Sequence, residues 1–149
     1  MKRALLLIAL FLFSFVAIAS PDSREINCLA KNIYFEARGE TLSGMAAVGQ
    51  VTRNRVNSGK YPDSYCKVVY QSKQFSWTAS NPKVNYSEES WRQAKVLAAY
   101  TYYIGWSNDL IGNATYFHSG PSKNIWWAKH KSFKRITKIG GHRFYEEKT

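Results

Sequence analysis

Two cysteines, Cys28 and Cys66, and three histidines, His118, His130 and His142, are all that this 149-residue chain has of either type. No C-x-x-C pair occurs, and the histidines lack the spacings of zinc sites, so no structural metal and no cofactor is expected. Acidic residues are also scarce. Ten Asp and Glu stand against 21 Lys and Arg, a formal net charge of +11. Beyond residue 19 no apolar run comes near the roughly 20 residues that a membrane-spanning helix needs. Repeats and low-complexity tracts are missing too, and the length suits one domain.

The one long apolar run, Ala4 to Ala19, follows Lys2 and Arg3 and closes on Ala17-Ile18-Ala19. A charged start, a short apolar stretch and an A-x-A end predict a signal peptide over residues 1–19 and a mature domain over 20–149. An uncleaved membrane anchor is the alternative. Export places the protein in the periplasm, the cell wall or the medium. Lys2 and Arg3 carry two of the eleven excess charges, which leaves +9 on the mature chain. On an exported protein this excess points to anionic cell-envelope polymers rather than to nucleic acid. Outside the reducing cytoplasm, two cysteines predict one disulfide, Cys28 to Cys66, with two unlinked buried thiols as the alternative.

Helical periodicity dominates the first two thirds of the mature chain. Asp22 and Glu25 suggest a capping pair, after which Ile26, Leu29, Ala30, Ile33, Tyr34 and Ala37 form one apolar face that stops at Gly39. At 100° per residue, Glu36 falls at the border of that face, Arg38 points away from it, and Cys28 lies far from the apolar stripe. Ser43 is the expected cap of a second helix through Met45, Val48, Val51 and Val56. A short helix is expected after Asp63, an ordered loop over QFSWTASNPKVNYS, and a longer helix from Ser87. ATYFHS, KSFKRITKI and HRFYEE then read as short strands, with Gly140-Gly141 as a hairpin turn. Helices first and a small antiparallel sheet near the C-terminus make an α+β fold.

NIYFEARGE, GMAAVGQVTRNRV, YPDSYCKVVYQ and QFSWT, followed by ATYFHSGPSKNIWW and IGGHRFY, resemble the SleB-type cell-wall hydrolases, the spore cortex-lytic enzymes and their phage and bacterial relatives. The resemblance runs from about Cys28 to Tyr145. It implies a lysozyme-like or lytic-transglycosylase-like α+β fold, cleavage of peptidoglycan glycan strands, and catalysis by the first glutamate of EARGE, Glu36. One departure stands out: His118 occupies a place where relatives often have asparagine.

The chemistry is consistent with that implication. Cleaving a glycosidic bond requires a proton on the leaving oxygen, and a carboxylic acid at an apolar border stays protonated because desolvation raises its pKa. The usual glycosidases use two carboxylates. Glu40, Asp63, Glu88, Glu89 and Asp109 are the candidates for a second, and none stands out. A lytic transglycosylase needs none, because the C6 hydroxyl of N-acetylmuramic acid attacks instead.

Gln74, Phe75, Ser76 and Trp77 are the expected groove wall, with the aromatics stacking on sugars and the polar pair bonding acetamido or hydroxyl groups. Tyr116, His118 and His142 are expected on the opposite side. Asn54 and Arg55 read as scaffold, and Trp126 and Trp127 as core. The leading expectation is a monomeric peptidoglycan-cleaving enzyme, a lytic transglycosylase or else a muramidase. A non-catalytic envelope-binding module and an exported membrane-active protein are the competing classes. The last would need a long cationic amphipathic helix, which is not evident.

Overall fold

The computed structural model describes residues 20–107, 110–121 and 125–148. Residues 1–19, the expected signal peptide, and Asp109 lie outside these residues. Among the described residues five helices come first: α1 (Pro21–Ala37), α2 (Leu42–Asn57), α3 (Tyr65–Val69), α4 (Trp77–Ser80) and α5 (Glu89–Tyr103). Strands β1 (Tyr116–Ser119), β2 (Phe133–Ile139) and β3 (His142–Glu147) follow, with a 3-10 turn at Trp127–Lys129 between β1 and β2. The expected α+β order is the observed one.

The caps sit slightly earlier than the sequence suggests. Ser20, not Asp22, caps α1: its Oγ accepts from the Ser23 amide at 3.2 Å, and Pro21 takes the first turn, where no amide partner is needed. Thr41 rather than Ser43 caps α2, by accepting from Gly44 N. The expected loop over residues 74–87 contains one turn of helix, α4, closed by Asn81 in the left-handed conformation.

Helix α2 is the central one. Gly44 through Thr52 are all buried, because α1 and α5 pack against it from two sides. Gly49 permits the closest approach, since a Cβ there would lie 2.9 Å from the Ile33 side chain. Leu29, Ile33 and Tyr34 of α1, Met45, Val48 and Val51 of α2, and Ala94, Leu97 and Ala98 of α5 form the main core. On the far side of α1, Cys28 is bonded to Cys66, which straps α3 against the helix as expected.

Three consecutive side chains of α2 fasten it to α5 and to the segment that leads into the sheet. Arg53 Nη1 donates to the carbonyls of Thr101 and Tyr102 at the end of α5 (2.5 and 2.9 Å). Asn54 Nδ2 donates to the Gly112 and Ala114 carbonyls, and Arg55 Nε to that of Thr115 at 2.7 Å. The sheet order is β1-β3-β2, antiparallel throughout, with a register irregularity between Arg135 and Thr137. Gly140 turns the hairpin at φ +56, a conformation that glycine adopts without a Cβ penalty. Among the described residues no helix is long and apolar enough to cross a membrane.

Candidate active site

The last turn of α1, the end of α2, the loop before α4, and strands β1 and β3 enclose a cleft of about 580 Å³. Glu36, Arg55, Gln74, Phe75, Ser76, His118 and His142 line it, together with Lys73, Phe117, Ser119 and Ile125. Residues separated by more than a hundred positions thus converge on the glutamate at the end of α1. A second cleft of about 410 Å³ lies between α2 and the 104–115 loop. Much of its polar lining is committed to internal bonds, such as Asn54 to Gly112 and Ala114, and Trp106 N to Gln50 Oε1, so it reads as a seam of the fold.

Glu36 is half-buried beneath Tyr34 and Phe35, whose rings turn into the core. Burial raises its pKa, and the positive charge of Arg55 offsets part of that rise. Arg38 is exposed and bonds the Tyr34 hydroxyl instead, so it leaves Glu36 alone. Arg55 was expected to be scaffold, and its bond to Thr115 fits that role. Its guanidinium nevertheless lines the cleft, lying 5.2 Å from the Tyr61 ring centroid and 5.3 Å from that of Phe75. Nη1 is buried without a hydrogen-bond partner. Desolvation pulls the guanidinium pKa below its ordinary value, and Tyr61, Tyr116 and Glu36 counteract it. The sequence signal that could have placed Arg55 here was its position four residues beyond the buried Val51, on a helix otherwise short of charge.

The expected groove wall divides. Gln74 and the exposed Ser76 face the cleft. Phe75 lines its floor, but it is buried and its ring is covered by the Arg55 guanidinium, so no open face is left for a sugar. Trp77 is absent from the lining. It packs on Phe35 at 4.7 Å in a small cluster with Val69 and Phe75, and its Nε1 donates to Asn32. Tyr116 also lies outside the cleft, packed against Trp127 and Phe133. Trp127 is half-buried against Tyr116, Phe133 and Tyr145 rather than in the main core, and Trp126 is 78% exposed, contrary to a core role.

His118 is buried; its Nδ1 lies 3.1 Å from the Ser119 carbonyl and its Nε2 3.1 Å from the Tyr145 hydroxyl. His142 is also buried. Desolvation lowers its pKa and His118 adds to this, while Glu40 opposes both. The other acids are occupied elsewhere. Glu88 accepts from the Tyr34 hydroxyl at 2.7 Å, Asp63 pairs with Lys67, Glu89 with Arg92, and Glu40 accepts from Gly141 N. Among the described residues, Glu36 is the one carboxylate that lines the cleft. No group of three or more metal-ligating side chains occurs among them.

A half-buried carboxyl whose pKa is raised by burial, beside a fixed cation and several hydrogen-bonding side chains, can donate a proton to a bound oxygen. Comparisons with known proteins supply the family. The cell wall hydrolase family profile matches residues 39–145, a stretch that begins just after Glu36. The spore cortex-lytic enzyme of Oceanobacillus iheyensis is 32% identical over 123 residues, 83% of this chain and 42% of that protein. That of Bacillus subtilis is 32% identical over 125 residues, 84% of this chain and 38% of that one. The chain therefore spans about two fifths of the length of these relatives. The crystal structure of the catalytic domain of the Bacillus cereus SleB protein superposes with a TM-score of 0.63 at 29% identity, covering 87% of this chain and 94% of that one. The helices-then-sheet fold is that of the SleB catalytic domain, and this chain belongs to the cell wall hydrolase family.

Proposed function

We propose that this protein cleaves peptidoglycan glycan strands between N-acetylmuramic acid and N-acetylglucosamine as a lytic transglycosylase, with Glu36 as both acid and base. One observation carries the reading: a single carboxylate lines the cleft among the described residues, and burial raises its pKa. The family membership and the relatives' name, spore cortex-lytic enzyme, support a wall glycan as substrate.

In this mechanism Glu36 donates its proton to the glycosidic oxygen as the bond from that oxygen to the muramic acid C1 breaks. The C6 hydroxyl of the same sugar attacks C1, and its proton passes to the Glu36 carboxylate, which restores the starting state. The nucleophile is intramolecular, so its effective concentration is high and water is outcompeted. Arg55 suits the middle of this cycle, because its charge favours the ionised Glu36 that must accept the second proton. Gln74, Ser76 and Ser119 supply hydrogen bonds to the sugar, and Phe117 and Ile125 an apolar surface. The excess of Lys and Arg holds the enzyme on anionic envelope polymers, outside the cytoplasm.

Digestion of purified peptidoglycan by wild type and Glu36→Gln tests this. The variant should bind walls and lose about 10²–10⁴-fold in cleavage, the usual contribution of a general acid. Mass spectrometry of wild-type products should show 1,6-anhydromuramyl ends, lighter by one water and resistant to borohydride. Reducing muramic acid ends alone would mean a hydrolytic muramidase. Binding without any new ends would mean an envelope-binding module.

A further inference from the structure

Two acids stand at either end of the EARGE stretch, and the structure separates their roles. Glu36 closes on the cleft from the last turn of α1, whereas Glu40 lies three residues past the end of that helix, with its carboxylate on the β2–β3 turn. Both Glu40 oxygens accept from the Gly141 amide, at 3.1 and 3.0 Å. The turn wraps the carboxylate tightly: a Cβ at Gly140 would sit 1.8 Å from Oε2, and one at Gly141 2.6 Å from Oε1. Gly140-Gly141 is therefore more than a hairpin signal. It is the shape that an inserted carboxylate requires.

His142 is the next residue, the first of β3. It is 4% exposed and lines the cleft that holds Glu36. Phe117 meets its ring edge to face at 5.3 Å, and Phe144 packs at 6.3 Å. Its Nδ1 is buried without a hydrogen bond and lies 3.6 Å from Glu40 Oε1. The titratable groups facing the ring are Glu40, from the loop after α1, and His118, from β1. A carboxylate beside Nδ1 favours the tautomer that carries its proton there. Nε2 is then a lone-pair acceptor, and it is the polar atom of the ring left to meet a molecule in the cleft.

We propose that Glu40 is a positioning residue: it clamps the Gly140–Gly141 turn and orients His142 so that Nε2 accepts a hydrogen bond from a hydroxyl of the glycan bound at Glu36. The pair gives the cleft a neutral acceptor opposite its acid without adding a second ionised carboxylate, whose like charge would raise the Glu36 pKa further. The inference rests on the glycan-cleaving reading of the same cleft.

Imidazole nitrogen-15 spectra of the full chain, paired with cleavage kinetics on purified peptidoglycan, test it. In wild type at neutral pH, His142 should carry its proton on Nδ1. In Glu40→Gln, which keeps an oxygen for Gly141, the His142 pKa should fall, because the facing negative charge is gone. Cleavage by that variant should lose about tenfold in kcat/KM, the worth of one hydrogen bond. His142→Gln, which retains an acceptor oxygen, should keep more activity than His142→Ala. A proton on Nε2 in the wild type overturns the proposal, whatever the variants do. So does a Glu40→Gln protein with unchanged His142 titration and unchanged kinetics. A Glu36→Gln enzyme that still cleaves at the wild-type rate rejects the Glu36 mechanism instead, and leaves the nitrogen spectra of His142 standing as a separate result.

Discussion

Trp77 Nε1 donates to Asn32 Oδ1 at 3.2 Å, and this bond turns the indole edge towards α1 and away from the cleft that holds Glu36. The same amide donates through Nδ2 to Thr52 Oγ1, also at 3.2 Å, so one fully buried asparagine ties α1, α2 and α4 together. Asn32→Leu keeps the volume and removes both bonds, leaving the indole N–H without an acceptor. A loss of about 1–3 kcal/mol is expected from the unsatisfied donor alone. Urea unfolding reads it directly, and a midpoint equal to wild type would show that the bond contributes nothing.

The Cys28–Cys66 bridge closes a loop with a sequence separation of 38. In the chain-entropy account such a loop is worth about 4 kcal/mol. Both sulfurs lie apart from the cleft, so Cys28→Ser with Cys66→Ser should melt well below wild type yet cleave walls at a similar rate when folded. Melting in the presence and absence of a reductant, with a matched turbidity assay, checks both halves. Loss of cleavage in folded double variant would tie α3 to the site.

Glu36 should be a stability cost that activity requires. Its folded-state pKa is raised, chiefly by burial, so the folded state binds the proton more tightly than the unfolded chain does. The associated stability is complete below the unfolded value of about 4.3 and is lost as pH rises through the raised folded value. Glu36→Gln has no ionisation to resist. Relative to wild type it should gain stability as pH climbs through that window, and the gain should shrink again as pH falls below it. Thermal melts of both proteins from about pH 3 to about pH 8 give the difference curve. A flat difference would mean that the carboxylate pKa is ordinary.

The wild-type cleavage profile should lose activity on its basic side as Glu36 ionises, above the ordinary carboxylate range. Arg55 lowers the Glu36 pKa, so Arg55→Met should carry that basic limb to higher pH, alongside a general loss from the broken Thr115 bond. A limb that stays in place would leave Arg55 with a purely structural role.

Gly140→Ala combines two penalties, and Gly59→Ala separates them. Both glycines have positive φ, +56 and +70, but nothing lies within 4 Å of a Cβ at Gly59. That position should cost only the left-handed backbone, roughly 1–2 kcal/mol. Gly140→Ala must also displace the Glu40 carboxylate, so its unfolding midpoint should fall further. Equal losses would show that Glu40 swings aside freely.

Periodicity and turn chemistry determined much of this protein on their own. The apolar stripe of α1, the Gly140-Gly141 hairpin and the three C-terminal strands are local patterns, and local patterns survive folding because propensity and burial agree along them. The position of Glu36 at the border of its helix face followed from 100° per residue, with no tertiary information. The Cys28–Cys66 pairing needed only a count of two. The family motifs pointed to the same glutamate.

Tertiary structure decided which neighbours in sequence share a site. Trp77 and Tyr116 have the aromatic faces that suit a sugar, but a buried amide and a packed sheet face claim them. Phe75 reaches the cleft only to be covered by Arg55. Arg55 itself reads as scaffold, because nothing in a linear pattern says that a guanidinium bonded to Thr115 also sits beside Glu36. Glu40 and His142 are 102 positions apart, and their approach depends on a glycine turn closing around a carboxylate at the end of a distant helix. Side-chain identity sets what each residue can do; the crossing of α1, α2 and the hairpin decides which partners are near enough for it to do so.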